Sequence, residues 1–299
     1  MVLDLSQQDA LEDFYEKEPD RNLKAALEPA FASRPKALEP VNCIATEGQE
    51  NLWLIPGHVG LAEDEVSLGV AQQLSESIQA LKNLPGSFHH LFEITAEKYE
   101  ADFILIDLSP GLGSINQNLV ATADYFVVPA SPDVFSVMAI DSLARILPRW
   151  AAWAESAAKL EALADADYPF PEPRLKFLGM IVQRYRLKGG EPTEAFRGYF
   201  DELDAAVNDT LVPAFDSAGL LFPAETYAEA GLEGALRLAS ISDFNTLIAN
   251  SQQVRKPVFA LTQEDVDRRG FVWQTQKANI DAFDQTFTEL AERVENLVQ

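Results

Sequence analysis

Phe103-Ile104-Leu105-Ile106-Asp107-Leu108-Ser109-Pro110-Gly111-Leu112-Gly113 is the stretch on which the fold turns. Phe103 to Ile106 form a short apolar run of the kind that predicts a fully buried strand. The run ends on a carboxylate, Asp107, and breaks at Ser109-Pro110-Gly111. There Pro110 lacks a backbone donor and the glycines permit a tight turn. An acid at the C-terminal end of a buried parallel strand stands where open α/β sheets place ligand chemistry. A strand that simply ends in a polar residue at the surface reads the same way from this stretch alone.

The pattern on either side is of strands and helices in alternation. Asn51 to Ile55 predicts a strand closed by Pro56-Gly57, residues 62–82 a polar helix, and 88–99 a helix with Leu91, Phe92, Ile94 and Tyr99 toward a core. Asn22 to Phe31 reads as a short helix capped by Asp20 or Asn22. Beyond the central stretch come a helix at 116–122, a strand at 125–129 and a long helix at 134–161 containing Pro148. A proline-rich acidic surface loop is predicted at 165–174, followed by a strand at 177–182 and a helix at 193–210. Residues 211–240 read as mixed, 242–250 as helix, and 256–259 as extended. Ile280, Phe283, Phe287, Leu290, Val294 and Leu297 step by three and four along a last helix, 276–298, as one apolar stripe for a core or a dimer contact. The expected fold is α/β, a mostly parallel sheet with helices on both faces, forming one domain over 1–299.

Composition narrows the function. The 299 residues carry 23 Lys+Arg against 47 Asp+Glu, a formal charge of −24. A surface so acidic is poorly suited to neutralising phosphates, so the chain is expected not to retard bare duplex DNA at moderate salt. Arg184, Arg186 and Lys188 are the one local basic cluster and read as a solvated loop edge. The single cysteine, Cys43, excludes an intrachain disulfide, and the expectation is a cytoplasmic protein. No apolar run approaches the roughly 18 residues that span a bilayer. His58, His89 and His90 show no metal-ligand spacing. His58, Asp107 and Ser109 show no spacing that supports a catalytic triad.

Phe103 to Gly113, then Ala123-Asp124-Tyr125-Phe126-Val127-Val128-Pro129, then Ser131-Pro132-Asp133-Val134-Phe135-Ser136, resembles the ParA family, partition-type ATPases of the ParA/MinD group with a deviant Walker P-loop. Val2 to Leu11 is similar to the family's Asp-x-Asp-Pro-Gln-x-Asn-Leu segment, and Arg255-Lys256-Pro257-Val258-Phe259 is similar to its closing motif. The stretch 103–136 is the specific part of the likeness. The resemblance implies a P-loop NTPase or Rossmann-like three-layer sandwich, with ATP and Mg2+ as cofactors and a homodimer or another protein as partner. It implies Asp107 as the residue that holds the magnesium shell and Asp4 on the magnesium or water side. It also implies that Ser109, Pro110, Gly111 and Gly113 form the turn that senses the γ-phosphate and that Gln183 lies near the adenine.

Two departures stand beside these matches. No Gly-x-x-x-x-Gly-Lys-Ser/Thr occurs in the sequence, so the first strand and P-loop of the family are expected to be absent. The second acid of Asp-x-Asp-Pro-Gln is Ser6 and its proline Gln7. A central strand without its neighbour leaves backbone groups unpaired, at about 1–3 kcal/mol each where buried. Another segment fills the gap, the chain dimerises there, or the chain is a shortened form of a longer ATPase. The strand-like start at Met1 points to shortening, and Ser6 and Gln7 point to degeneracy. The expectation is a ParA-like partition or positioning protein with weak or no hydrolysis, or an interaction module that keeps the fold, with no membrane recruitment.

Overall fold

Asn22 caps helix α1 (Leu23–Phe31) from an extended backbone, its Oδ1 accepting the Ala25 amide at 3.0 Å. The computed structural model describes residues 14–32, 34, 36–46, 48–74, 81–232 and 234–299, so Asp4, Ser6 and Gln7 lie outside the described residues. The chain divides into two compact units, one of residues 1–124 and 150–175, the other of 125–149 and 176–299.

In the first unit α1 is followed by a minimal antiparallel pair, β1 (Ile44–Ala45) and β2 (Trp53–Leu54). Then come α2 (Leu61–Leu74), α3 (Leu84–Tyr99) and α4 (Ser114–Ala121). Pro85 is tolerated in the first turn of α3, where its missing donor has no intrahelical partner to lose. Leu27, Leu68, Leu84, Phe88 and Leu91 form the unit's fully buried centre. The unit is completed by the C-terminal part of α5 (Val134–Ala158), by α6 (Glu161–Ala164) and by the segment after it. That segment corrects the expectation of a surface loop at 165–174. Tyr168 and Phe170 are buried, the Tyr168 hydroxyl accepts the Leu38 amide at 2.9 Å, and Phe170 lies edge-on to Trp153. Gly86 of α3 packs so closely on the Tyr168 and Pro169 carbonyls that no Cβ fits.

The central stretch departs most from expectation. Phe103–Leu108 forms no strand, and no backbone hydrogen bond reaches it among the described residues. Phe103 is 58% exposed, Ile104 47% and Leu105 94%. The strand requires partners on its flanks, and the described residues supply none.

The second unit holds the parallel sheet, in the order β3 (Tyr125–Ala130), β4 (Lys176–Tyr185), β7 (Arg237–Ser242). Phe177, Met180 and Val182 of the central strand are wholly buried. A short hairpin, β5 (Leu187–Lys188) with β6 (Glu191–Pro192), follows β4 and carries Arg186 and Lys188 exposed. After it come α7 (Glu194–Ala206), a π-helical turn at Val207–Leu211, α8 (Val212–Ser217) and α9 (Ala224–Glu229). Strand β7 falls where the pattern read mixed structure, and the helix after it, α10 (Thr246–Val254), begins four residues later than expected. Val258–Ala260 is a single 3₁₀ turn rather than an extended piece. The chain ends with α11 (Gln263–Val266) and α12 (Gly270–Val298), the latter starting six residues before its predicted bound. The apolar stripe of α12 belongs to the core: Ile280 and Phe283 are buried with Ile241, Leu247 and Val258, and Phe287 and Leu290 pack against them. The fold is therefore α/β, a parallel sheet flanked by helices. Among the described residues no helix is long and apolar enough to cross a membrane.

Candidate functional site

The turn after the exposed run is built from α4. Asn116, buried in the first turns of that helix, donates through Nδ2 to the Ser109 carbonyl at 2.7 Å and to the Gly111 carbonyl at 2.9 Å. Ser109 Oγ returns a bond to Asn116 Oδ1 at 3.2 Å. Gly111 sits at φ +153°, a backbone that side chains rarely adopt. Gly113 caps α4 from an extended backbone, and Glu65 of α2 places its carboxylate where a Cβ of Gly113 would stand. Helix α2 is in turn held to α4 by Gln72, whose Nε2 donates to the Ser114 carbonyl at 3.1 Å.

Asp107, Ser109, Pro110, Gly111 and Gly113 thus lie together in the first unit, with Asp107 on the exposed run. Gln183 belongs to the second unit, half-buried in β4 opposite Ile241 of β7. Asn116 and Glu65 were not singled out from the sequence, where a polar residue within a helix carries no signal of its fold partner. His58 lies apart from Asp107 and Ser109 in its contacts, its Nδ1 accepting the Gly60 amide at 3.0 Å and its ring edge-on to Tyr15.

The turn is a poor match for the phosphates of ATP–Mg2+. A helix N-terminus favours an anion, and here a side-chain carboxylate already stands beside it. Asn116 fixes the backbone of the turn through the Ser109 and Gly111 carbonyls, which leaves the Glu65 carboxylate as the feature that disfavours an anion there.

A separate cavity of about 420 Å³ opens in the second unit at the C-terminal ends of β4 and β7, where parallel sheets place ligands. Tyr185, Ser242, Asp243, Asn245, Asn279 and Phe283 are among its walls. Burial pushes the Tyr185 phenol up, so it is a neutral donor at physiological pH. Asn245 is held at φ +52° by Asp243, whose Oδ1 accepts the Asn245 amide at 2.9 Å and whose carbonyl accepts its Nδ2 at 3.0 Å. The walls of the cavity are aromatic at Tyr185 and Phe283, and its edges carry the amides of Asn245 and Asn279 and the Asp243 carboxylate.

A family model described as AAA domain, a family of ParA/MinD-like P-loop ATPases, matches residues 7–155. Through those residues the chain belongs to the ParA-like family. Uncharacterized protein MJECL24 of Methanocaldococcus jannaschii is 26% identical over 138 residues, 46% of this chain and 42% of its own length. The chain thus spans less than half of that relative. The crystal structure of protein DIP2308 from Corynebacterium diphtheriae shares the fold, with a TM-score of 0.52 at 19% identity over 80% of this chain and 74% of that one.

Proposed function

We propose that this ParA-like chain acts in replicon partition or cellular positioning through protein contacts in the cytoplasm, and that it hydrolyses ATP weakly or not at all. The observation that carries this reading is the Ser109–Gly113 turn, closed on Asn116 and faced by the Glu65 carboxylate. The Glu65 carboxylate beside the turn repels a γ-phosphate rather than cradling it. The charge of −24 supports action through protein rather than through bare nucleic acid.

Phosphate release from ATP and magnesium is expected to be no faster with this chain than with its Asp107→Ala variant. Release that the substitution abolishes would overturn the proposal. A second reading, a non-catalytic interaction module, is favoured by the exposed run beside the turn. Calorimetric titration with ATP and magnesium separates the two. Magnesium-dependent heat lost in Asp107→Ala keeps a nucleotide-responsive positioning protein; no heat from a chain folded by circular dichroism leaves the interaction module.

A further inference from the structure

The cavity at the C-terminal ends of β4 and β7 has no role in the proposed function, and it carries one group of each charge. At about 420 Å³ it falls within the roughly 300–1,000 Å³ of small-molecule sites. Arg186 Nε stands 3.8 Å from Asp243 Oδ2, too far for a hydrogen bond. Among the described residues no side-chain hydrogen bond engages the Arg186 guanidinium or Asp243 Oδ2. Asp243 is nonetheless fixed. Its amide donates to the Tyr185 carbonyl at 2.8 Å and its Oδ1 accepts the Asn245 amide at 2.9 Å. The buried part of the lining is apolar or aromatic: Tyr185, Leu247 and Phe283, with the Phe244 ring 4.5 Å from that of Phe283.

The charge pair selects the ligand. A phosphate ester brings about two negative charges to a pair whose formal charges cancel, and the Asp243 carboxylate opposes it. A purely apolar ligand takes water from both ions and gives neither a partner. A zwitterion matches both. Its carboxylate meets the guanidinium in a forked pair of charge-assisted hydrogen bonds, and its ammonium donates to Asp243 Oδ2. An α-amino acid carries the two groups on one carbon, in keeping with the 3.8 Å between Arg186 and Asp243, and its side chain is left for the apolar wall.

We propose that this cavity binds a free α-amino acid with an apolar side chain, its carboxylate on Arg186 and its ammonium on Asp243. Burial against Leu247 and Phe283 favours a large apolar side chain over a small or charged one. The site shares no residue with the Ser109–Gly113 turn, which lies in the other unit, so it is tested without nucleotide.

Calorimetric titration of the full chain with L-phenylalanine is expected to show saturable binding. Masking either charge, as the methyl ester or the N-acetyl form, is expected to weaken it by about tenfold or more, the loss of one charge-assisted contact. Glycine, without the apolar side chain, is expected to fall by a similar factor. Arg186→Gln is expected to weaken L-phenylalanine as much as the methyl ester does, and to weaken the ester no further. Asn279→Trp places an indole at the cavity wall and is expected to abolish binding with both charges still in place. Both positions are solvent-exposed, so neither substitution opens a core, and circular dichroism checks the fold. No saturable binding of L-phenylalanine or L-leucine, equal affinity for the masked forms, or undiminished binding in either variant overturns the site. Saturable binding of adenosine with none of either amino acid also overturns it and gives the cavity to a nucleoside.

Discussion

Phe103–Ile106 and Phe177–Val182 are alike as sequence, and the structure treats them oppositely. The second is the centre of a sheet, with β3 on one side and β7 on the other, and Phe177, Met180 and Val182 are wholly buried. The first has no strand on either side among the described residues, and Leu105 is 94% exposed. The difference does not lie in hydrophobicity or β propensity. It lies in what the rest of the chain places alongside, because a strand is stabilised by its cross-strand neighbours and not by its own residues.

The largest test of this contrast is Phe177→Ala, which is expected to lower stability by about 3–5 kcal/mol in urea unfolding. A loss below 1 kcal/mol would remove the distinction between the runs. Next are the two glycines that accompany them. Gly179, at φ +144°, would place a Cβ 2.6 Å from the Leu236 carbonyl, whereas Gly111, at φ +153°, faces open space. Gly179→Ala therefore adds a backbone collision to the strain of its φ, a cost of about 1–3 kcal/mol, and Gly111→Ala costs less.

Smaller again is Thr262→Ala, at about 1 kcal/mol, because Thr262 caps α11 in a reciprocal pair with Asp265. Lys256, with bonds from the Thr262 amide and hydroxyl, holds the Asp265 carboxyl down to about 2. A depressed carboxylate contributes stability that is present above its unfolded value near 4 and lost as pH falls through about 2. Asp265→Asn is expected to flatten the acid-side stability profile between those limits, as measured by thermal unfolding against pH. The smallest effect is at Leu105: Leu105→Ala should change monomer stability by no more than about 0.5 kcal/mol, as for other exposed positions.

The alternation of elements was legible because the strands at 125 and 177 are bounded by turns and their apolar runs are unbroken. Strand β7 was hidden because Arg237, Ser240 and Ser242 interrupt its pattern. Arg237 is accommodated there by pairing with Asp204 and lying 4.9 Å over the Phe200 ring, a tertiary arrangement that no local window contains. Residues 165–174 look like a loop by their prolines and acids, yet Tyr168 is drawn inward by a hydrogen bond 130 residues away in sequence. Of the site, the Ser109–Gly113 turn could be read from its residue types. Its clamp, Asn116, and its neighbouring acid, Glu65, could not, since each is defined by a partner on another element.

The bond between Leu38 and Tyr168 also has a consequence for biosynthesis. The first unit is not contiguous: its chain leaves at residue 124 and returns only over 150–175. A ribosome adding about 5–20 residues per second needs about 3–10 seconds to pass from 125 to 175. For that interval the nascent α1–α3 helices lack Tyr168 and Pro169, which in the folded unit pack on Leu38, His90 and Gly86. This is a window in which chaperone capture, rather than stability, decides the yield of folded protein.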